Sequence, residues 1–232
     1  MRLLARRYIF VPPLIPHILP FIPRRGLIVD LGAGYGTVAI MLAKQRPGCQ
    51  FIAVDLDRTR LRIARRLVSS LDNISLLRCD MMGQDFRDVS VFLLIDSIGY
   101  LSPPKQTELL IRCRRSLLPG GYLIIKTNDH RPAWKYRFAL LEEKVLSGRR
   151  MFYPDSAWLT GKLLETGYNI SAIHRVYKFL PYPGIIYIAQ IPFECKRLSP
   201  IGDRRQETGD RNIDFPLPPA SCLLPTLRNK HF

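Results

Sequence analysis

Cysteine is sparse and unpatterned in this 232-residue chain. The five cysteines (Cys49, Cys79, Cys113, Cys195, Cys222) are scattered and odd in number. No C-x-x-C or Cys/His spacing occurs, so neither a disulfide framework nor a metal site is expected, and reduced thiols in a cytoplasmic protein are. An unbroken apolar run is also missing. Tyr8–Pro23 follows the basic Arg2, Arg6 and Arg7 and is closed by Arg24 and Arg25, but Pro12, Pro13, Pro16, Pro20 and Pro23 interrupt it. A signal core or membrane span tolerates such prolines badly, and no small-residue cleavage site follows. Residues 1–26 are expected to pack on the body of the protein or to dip into a bilayer interface. Acids are scarce as well: 19 against 35 Lys and Arg, a net charge of +16. Such a basic protein attracts polyanions, whether nucleic acid, an anionic membrane or acidic substrates, and composition does not choose among them.

What is present is concentrated in LIVDLGAGYG, Leu27–Gly36. Leu27, Ile28, Val29 and Leu31 suit a strand covered on both faces. Asp30 ends the apolar run. Gly32, Gly34 and Gly36 let the backbone turn tightly and approach a ligand, and a helix from Thr37 offers its free N–H groups. This is a nucleotide-type cofactor site. A dinucleotide fingerprint needs a third glycine at position 37, which is Thr. The pattern here, an acid followed by G-x-G-x-G, suits a ligand carrying an ammonium and a sulfonium.

On these residues the chain resembles the class I methyltransferases that use S-adenosylmethionine, whose first motif is [DE]-x-G-x-G-x-G. The resemblance implies cofactor contacts from Asp30, Gly32, Ala33, Gly34 and Gly36. A second apolar run, Phe51–Asp55, ends in a carboxylate suited to ribose hydroxyls. By resemblance Asp55 binds the ribose, Leu56 packs on the adenine, and Asp80 with Met81, after the run Ile74–Arg78, reaches the adenine amino group. Val91–Ile95 leads into Asp96, a fourth acid on the same edge and a further cofactor-binding candidate.

Helices are expected near Gly36–Gln45, Arg58–Leu71, Lys105–Leu117, Ala133–Leu146 and Ser156–Thr166. A sharp turn at Pro119-Gly120-Gly121 leads to a strand over Tyr122–Thr127. Strands over Ile173–Phe179 and Ile185–Gln190, joined by a turn at Pro181–Gly184, make an antiparallel pair. The fold class is α/β: a Rossmann-like, doubly wound, seven-stranded sheet, mostly parallel, with a C-terminal antiparallel hairpin. The methyltransferase domain is expected over residues 27–191, and 192–232, rich in Pro, Arg and Asp, as a disordered tail.

In open α/β sheets the reacting atoms lie beyond the carboxyl ends of the strands. Asp96–Tyr100 and Lys126–His130 are the candidate stretches. His130 is a candidate general base, and Asp129 and Tyr100 are candidates for orienting an acceptor. The loop after the fourth strand reads Asp96-Ser97-Ile98-Gly99, without the [DNS]-P-P-[YFW] tetrad of base N-methyltransferases. IGYLSPPKQTELLIRCRRSLLPGG and HRPAWKYRFALLEEKV are closer to enzymes acting on small molecules and lipids. The expectation is a cytoplasmic enzyme acting on a small, lipophilic metabolite, with peripheral contact to an anionic membrane. The alternatives are an RNA methyltransferase, motivated by the charge, and a non-catalytic S-adenosylmethionine-binding protein.

Overall fold

A computed structural model of the chain describes residues 11–148, 150–176 and 182–193. Seven strands form one sheet: β1 (Gly26–Leu31), β2 (Cys49–Asp55), β3 (Ile74–Arg78), β4 (Val89–Ile95), β5 (Leu117–Asn128), β6 (Asn169–Arg175) and β7 (Gly184–Gln190). Their order is β3-β2-β1-β4-β5-β7-β6. All neighbours pair in parallel except β7, which runs antiparallel to both β5 and β6. The helices are α1 (Ile15–Ile18), α2 (Thr37–Gln45), α3 (Arg58–Leu67), α4 (Pro103–Ser116), α5 (Ala133–Ser147) and α6 (Ser156–Glu165).

Strand alternation divides the core in two. Ile28, Phe51, Ala53, Val91, Leu93 and Ile124 face a layer that contains Val38, Ala39 and Leu42 of α2 and Leu61 and Ala64 of α3. Val29, Ile52, Val54, Phe92, Leu94 and Ile125 face Leu109, Leu110 and Cys113 of α4 and Leu159 and Leu163 of α6. Burial on both sides is why β1 and β4 are almost wholly apolar.

Residues 12–21 form three consecutive single turns, each with a proline at its first or second position, where a missing N–H costs nothing. Val11, Leu14, Ile15, Ile18 and Ile22 are buried in the layer that holds α2 and α3. Arg46 reaches back to the carbonyls of Ile22 and Leu19, at 3.1 and 3.0 Å. These five side chains of the described N-terminal segment therefore belong to the core, while Pro12, Pro13, Pro16 and Pro20 stay exposed.

Three boundaries differ from expectation by four residues or more. Residues 117–121 join β5 instead of forming a turn before it. An irregularity in the pairing with β4 absorbs them, and Gly120 takes φ +76°. The strand expected from Ile173 begins at Asn169, two residues after Gly167; as an edge strand it alternates exposed and half-buried residues and lacks an apolar run. α3 stops at Leu67, four residues before the expected Leu71. Phe179 and Pro181 lie outside the described residues, as does the tail from 194 onward. Among the described residues no helix is long and apolar enough to cross a membrane.

Candidate cofactor and acceptor site

The glycine loop is fixed by backbone bonds to β2. Gly32 and Ala33 both donate to the Val54 carbonyl at 2.8 Å. Gly32, Gly34 and Gly36 all have positive φ (+76°, +62° and +71°), which side chains disfavour. Gly32 is also crowded: a Cβ there would stand 2.5 Å from the Ser97 Cβ. Gly36 caps α2 without a side-chain hydrogen bond, so the first N–H groups of that helix face the loop uncapped by side chains.

Asp55 is buried at the tip of β2. Its Oδ2 accepts from Gly34 N at 2.7 Å and its Oδ1 from Asp57 N at 2.8 Å. A carboxylate has about four lone-pair positions, so two remain for hydroxyls. Asp30 is buried within β1. Asp80 is exposed beyond β3, its Oδ1 accepting from Met82 N at 2.9 Å, and Met81 is half-buried beside the Gly32 position. Leu56 is 59 % exposed next to this edge, an apolar side chain that a flat adenine would cover. The residues present therefore fit an adenosyl ligand with an amino-acid tail.

Asp96 has φ +57° and meets the buried Lys126 of β5 at 2.5 Å. This ion pair is a role for Asp96 that the sequence did not suggest. A lysine interrupting the apolar run of β5 was the available signal.

The candidate acceptor residues separate. Tyr100 donates to Glu143 Oε1 of α5 at 2.8 Å. The His130 ring lies against Tyr136, with centroids 4.3 Å apart, and its Nε2 is 2.8 Å from the Tyr153 carbonyl. A carbonyl only accepts, so Nε2 carries the proton in the neutral ring. Nδ1 then holds the lone pair, 3.7 Å from Asp155 Oδ2. Asp129 is fully buried. Its Oδ1 accepts from His130 N at 2.8 Å, and Arg175 Nη1 is 2.9 Å from its Oδ2, close in distance but off the line that a hydrogen bond needs. Asp129, a candidate for orienting an acceptor, thus has no exposed surface and instead fixes the backbone of His130 beside Arg175 of β6.

Tyr153, invisible as a site residue in the sequence, ties the group together. Burial pushes its hydroxyl far above the ordinary tyrosine range, and the nearby charges of Asp96 and Glu143 raise it further, while a hydrogen bond with Asn128 acts the other way. Phe152 N donates to the Gly99 carbonyl at 2.7 Å, and Gln106 Nε2 donates to the carbonyls of Phe152 and Leu101, at 2.6 and 2.9 Å. Residues 151–153 are thereby laid over the loop after β4.

Residues 28–121, which hold the glycine loop and the whole acid series, match the family model of a methyltransferase domain. Over these residues the chain is similar to the class I S-adenosylmethionine-dependent methyltransferases. Among relatives of this methyltransferase domain, a carboxy-S-adenosyl-L-methionine synthase of Pseudomonas fluorescens is 31% identical over 135 residues, 54% of this chain and 52% of that protein. The match thus spans about half of that relative's length. An O-methyltransferase family 2 protein of Planctomyces limnophilus, solved in complex with apigenin, has a TM-score of 0.66 at 16% identity, covering 82% of this chain and 59% of that one. A methyltransferase of Methanosarcina mazei has a TM-score of 0.60 at 18% identity, covering 77% and 98%. These two structures share the fold of the domain.

Proposed function

We propose that the protein transfers a methyl group from S-adenosylmethionine to a small, lipophilic acceptor. The observation that carries this reading is the aromatic enclosure of His130, beside the edge that bears the acid series. Tyr136 touches its ring, and Tyr153 stands with its centroid 6.4 Å from that of Tyr136. An apolar wall with a few placed polar atoms suits an organic ligand better than a nucleic-acid backbone.

When bound, S-adenosylmethionine supplies the activated methyl group. Asp55 would accept from its ribose hydroxyls, Leu56 would cover its adenine, and the uncapped start of α2 would receive its amino-acid carboxylate. Tyr100 and Tyr153 orient the acceptor. The segment 151–153 restricts water from the approach of the reacting atoms, so that in-line geometry does most of the work. Where the acceptor must lose a proton, His130 Nδ1 takes it. The Asp155 carboxylate 3.7 Å away steadies the resulting imidazolium.

Label transfer from methyl-tritiated S-adenosylmethionine into an extract of the source organism, followed by phase partition, tests this. Counts in the organic phase support the lipophilic acceptor. Counts that precipitate with acid and vanish with ribonuclease assign the chain to RNA. A cofactor that gains a carboxylate, with no label on any acceptor, assigns it instead to the reaction for which its relatives are named.

A further inference from the structure

α5 is built with two opposed apolar faces. Tyr136 and Ala139 point inward, toward His130 and the core. On the other side Trp134, Phe138, Leu141 and Val145 are exposed at 61, 41, 62 and 75 %. Their spacing of four, three and four residues places all four on one narrow stripe, about 17 Å long at 1.5 Å per residue. Large apolar side chains exposed singly need no explanation, but four aligned ones do.

The charges around the stripe are sorted. Both acids of the helix bond to tyrosines of the body: Glu143 accepts from Tyr100 at 2.8 Å and Glu142 from Tyr182 at 2.9 Å. The cations Arg131, Arg137, Lys144 and Arg150 are exposed. Lys135 Nζ lies over the Trp134 ring at 5.5 Å. A Trp-Phe-Leu-Val stripe flanked by exposed cations, on a chain with net charge +16, is the composition of a helix that lies in the headgroup region of an anionic bilayer.

We propose that the outer face of α5 is a docking surface for an anionic lipid bilayer. The stripe enters the boundary between headgroups and acyl chains, and the flanking cations meet lipid phosphates. Of the apolar N-terminal segment, the first candidate in the sequence for this role, Val11, Leu14, Ile15, Ile18 and Ile22 lie inside the core. Because α5 begins five residues after Asn128, the last residue of β5, docking sets the His130 enclosure close to the lipid surface. A lipophilic acceptor can then enter from the bilayer without crossing water. The surface itself stands on exposure and charge, whatever the acceptor.

The test is co-sedimentation of the full chain, without S-adenosylmethionine, with vesicles of phosphatidylglycerol and phosphatidylcholine or of phosphatidylcholine alone. Binding is expected only to the anionic vesicles, falling with salt, with a blue shift of Trp134 emission in a Trp158→Phe background. Leu141→Ser with Val145→Ser, both at exposed positions, should weaken binding about tenfold or more while leaving the thermal midpoint unchanged. Equal binding by this variant and the parent overturns the proposal, as does equal binding to neutral and anionic vesicles. So does a concentration-dependent dimer, or retention on an RNA resin, that the double substitution abolishes while vesicle binding is absent. Vesicle binding needs no methyl transfer, so this outcome and that of the label-transfer experiment are read separately.

Discussion

Lys126 Nζ lies 2.5 Å from Asp96 Oδ1, joining the tips of β5 and β4 at the edge where the candidate site is built. The two partners differ in environment: the lysine side chain is 6 % exposed and the aspartate 39 %. Asp96→Asn keeps a residue that tolerates positive φ but removes the carboxylate from a buried ammonium, and should destabilise by about 3 kcal/mol. Lys126→Met leaves a carboxylate that water can reach, and should cost about 1 kcal/mol. Urea unfolding of both variants checks the order; a larger loss in Lys126→Met contradicts it.

The two ends of the glycine loop should respond differently to alanine. Gly32→Ala meets both a positive φ and the Ser97 Cβ, and is expected to lose about 3 kcal/mol of stability together with cofactor binding. At Gly36 an added Cβ finds its nearest neighbour at an ordinary 3.6 Å. Gly36→Ala should therefore cost only the backbone strain, about 1 kcal/mol. Thermal unfolding separates the two, and equal losses count against the crowding at Gly32.

Asp55→Ala should weaken S-adenosylmethionine binding by about 1–3 kcal/mol, because hydrogen bonds to a charged group are lost and the Gly34 and Asp57 N–H groups lose their acceptor. Unchanged affinity on calorimetry would falsify the assignment of Asp55 to the ribose.

Stability should fall in mild acid through His17. Its ring faces His174 with centroids 4.8 Å apart. Burial, and then the charge of His174, lower its pKa below 6.5. The unfolded chain binds this proton more readily than the folded one, so stability is complete above about pH 6.5 and declines as pH falls below it. His17→Asn should flatten the dependence of the urea midpoint between about pH 7 and 5. An unaltered slope removes His17 from this role.

The order of the elements and the gathering of the acids at one edge of the sheet could be read in the chain because both are local. A strand buried on both faces is a continuous apolar run, a loop that needs positive φ shows glycine, and an acid at a strand tip follows that run directly in sequence. LIVDLGAGYG and FIAVD each contain their whole argument. The edge strand β6 was placed four residues late because half of its surface meets solvent, and such a strand has no need of an apolar run.

The acceptor side depended on long-range placement. Asp129 and His130 are adjacent in sequence, yet one is sealed behind Arg175 and the other stands among aromatic rings. Their fates depend on β6 and on residues 151–155, which no spacing in the chain connects to them. Tyr153 reaches the loop after β4 only because Gln106 and the Gly99 carbonyl draw its segment there. The same holds for the two amphiphilic segments: the sequence made both residues 12–21 and α5 apolar, and only packing decided which would be buried against the sheet and which would keep its stripe outside. Local chemistry sets what a segment can form, while burial is a property of the whole assembled surface and is fixed only when the sheet and its helices close.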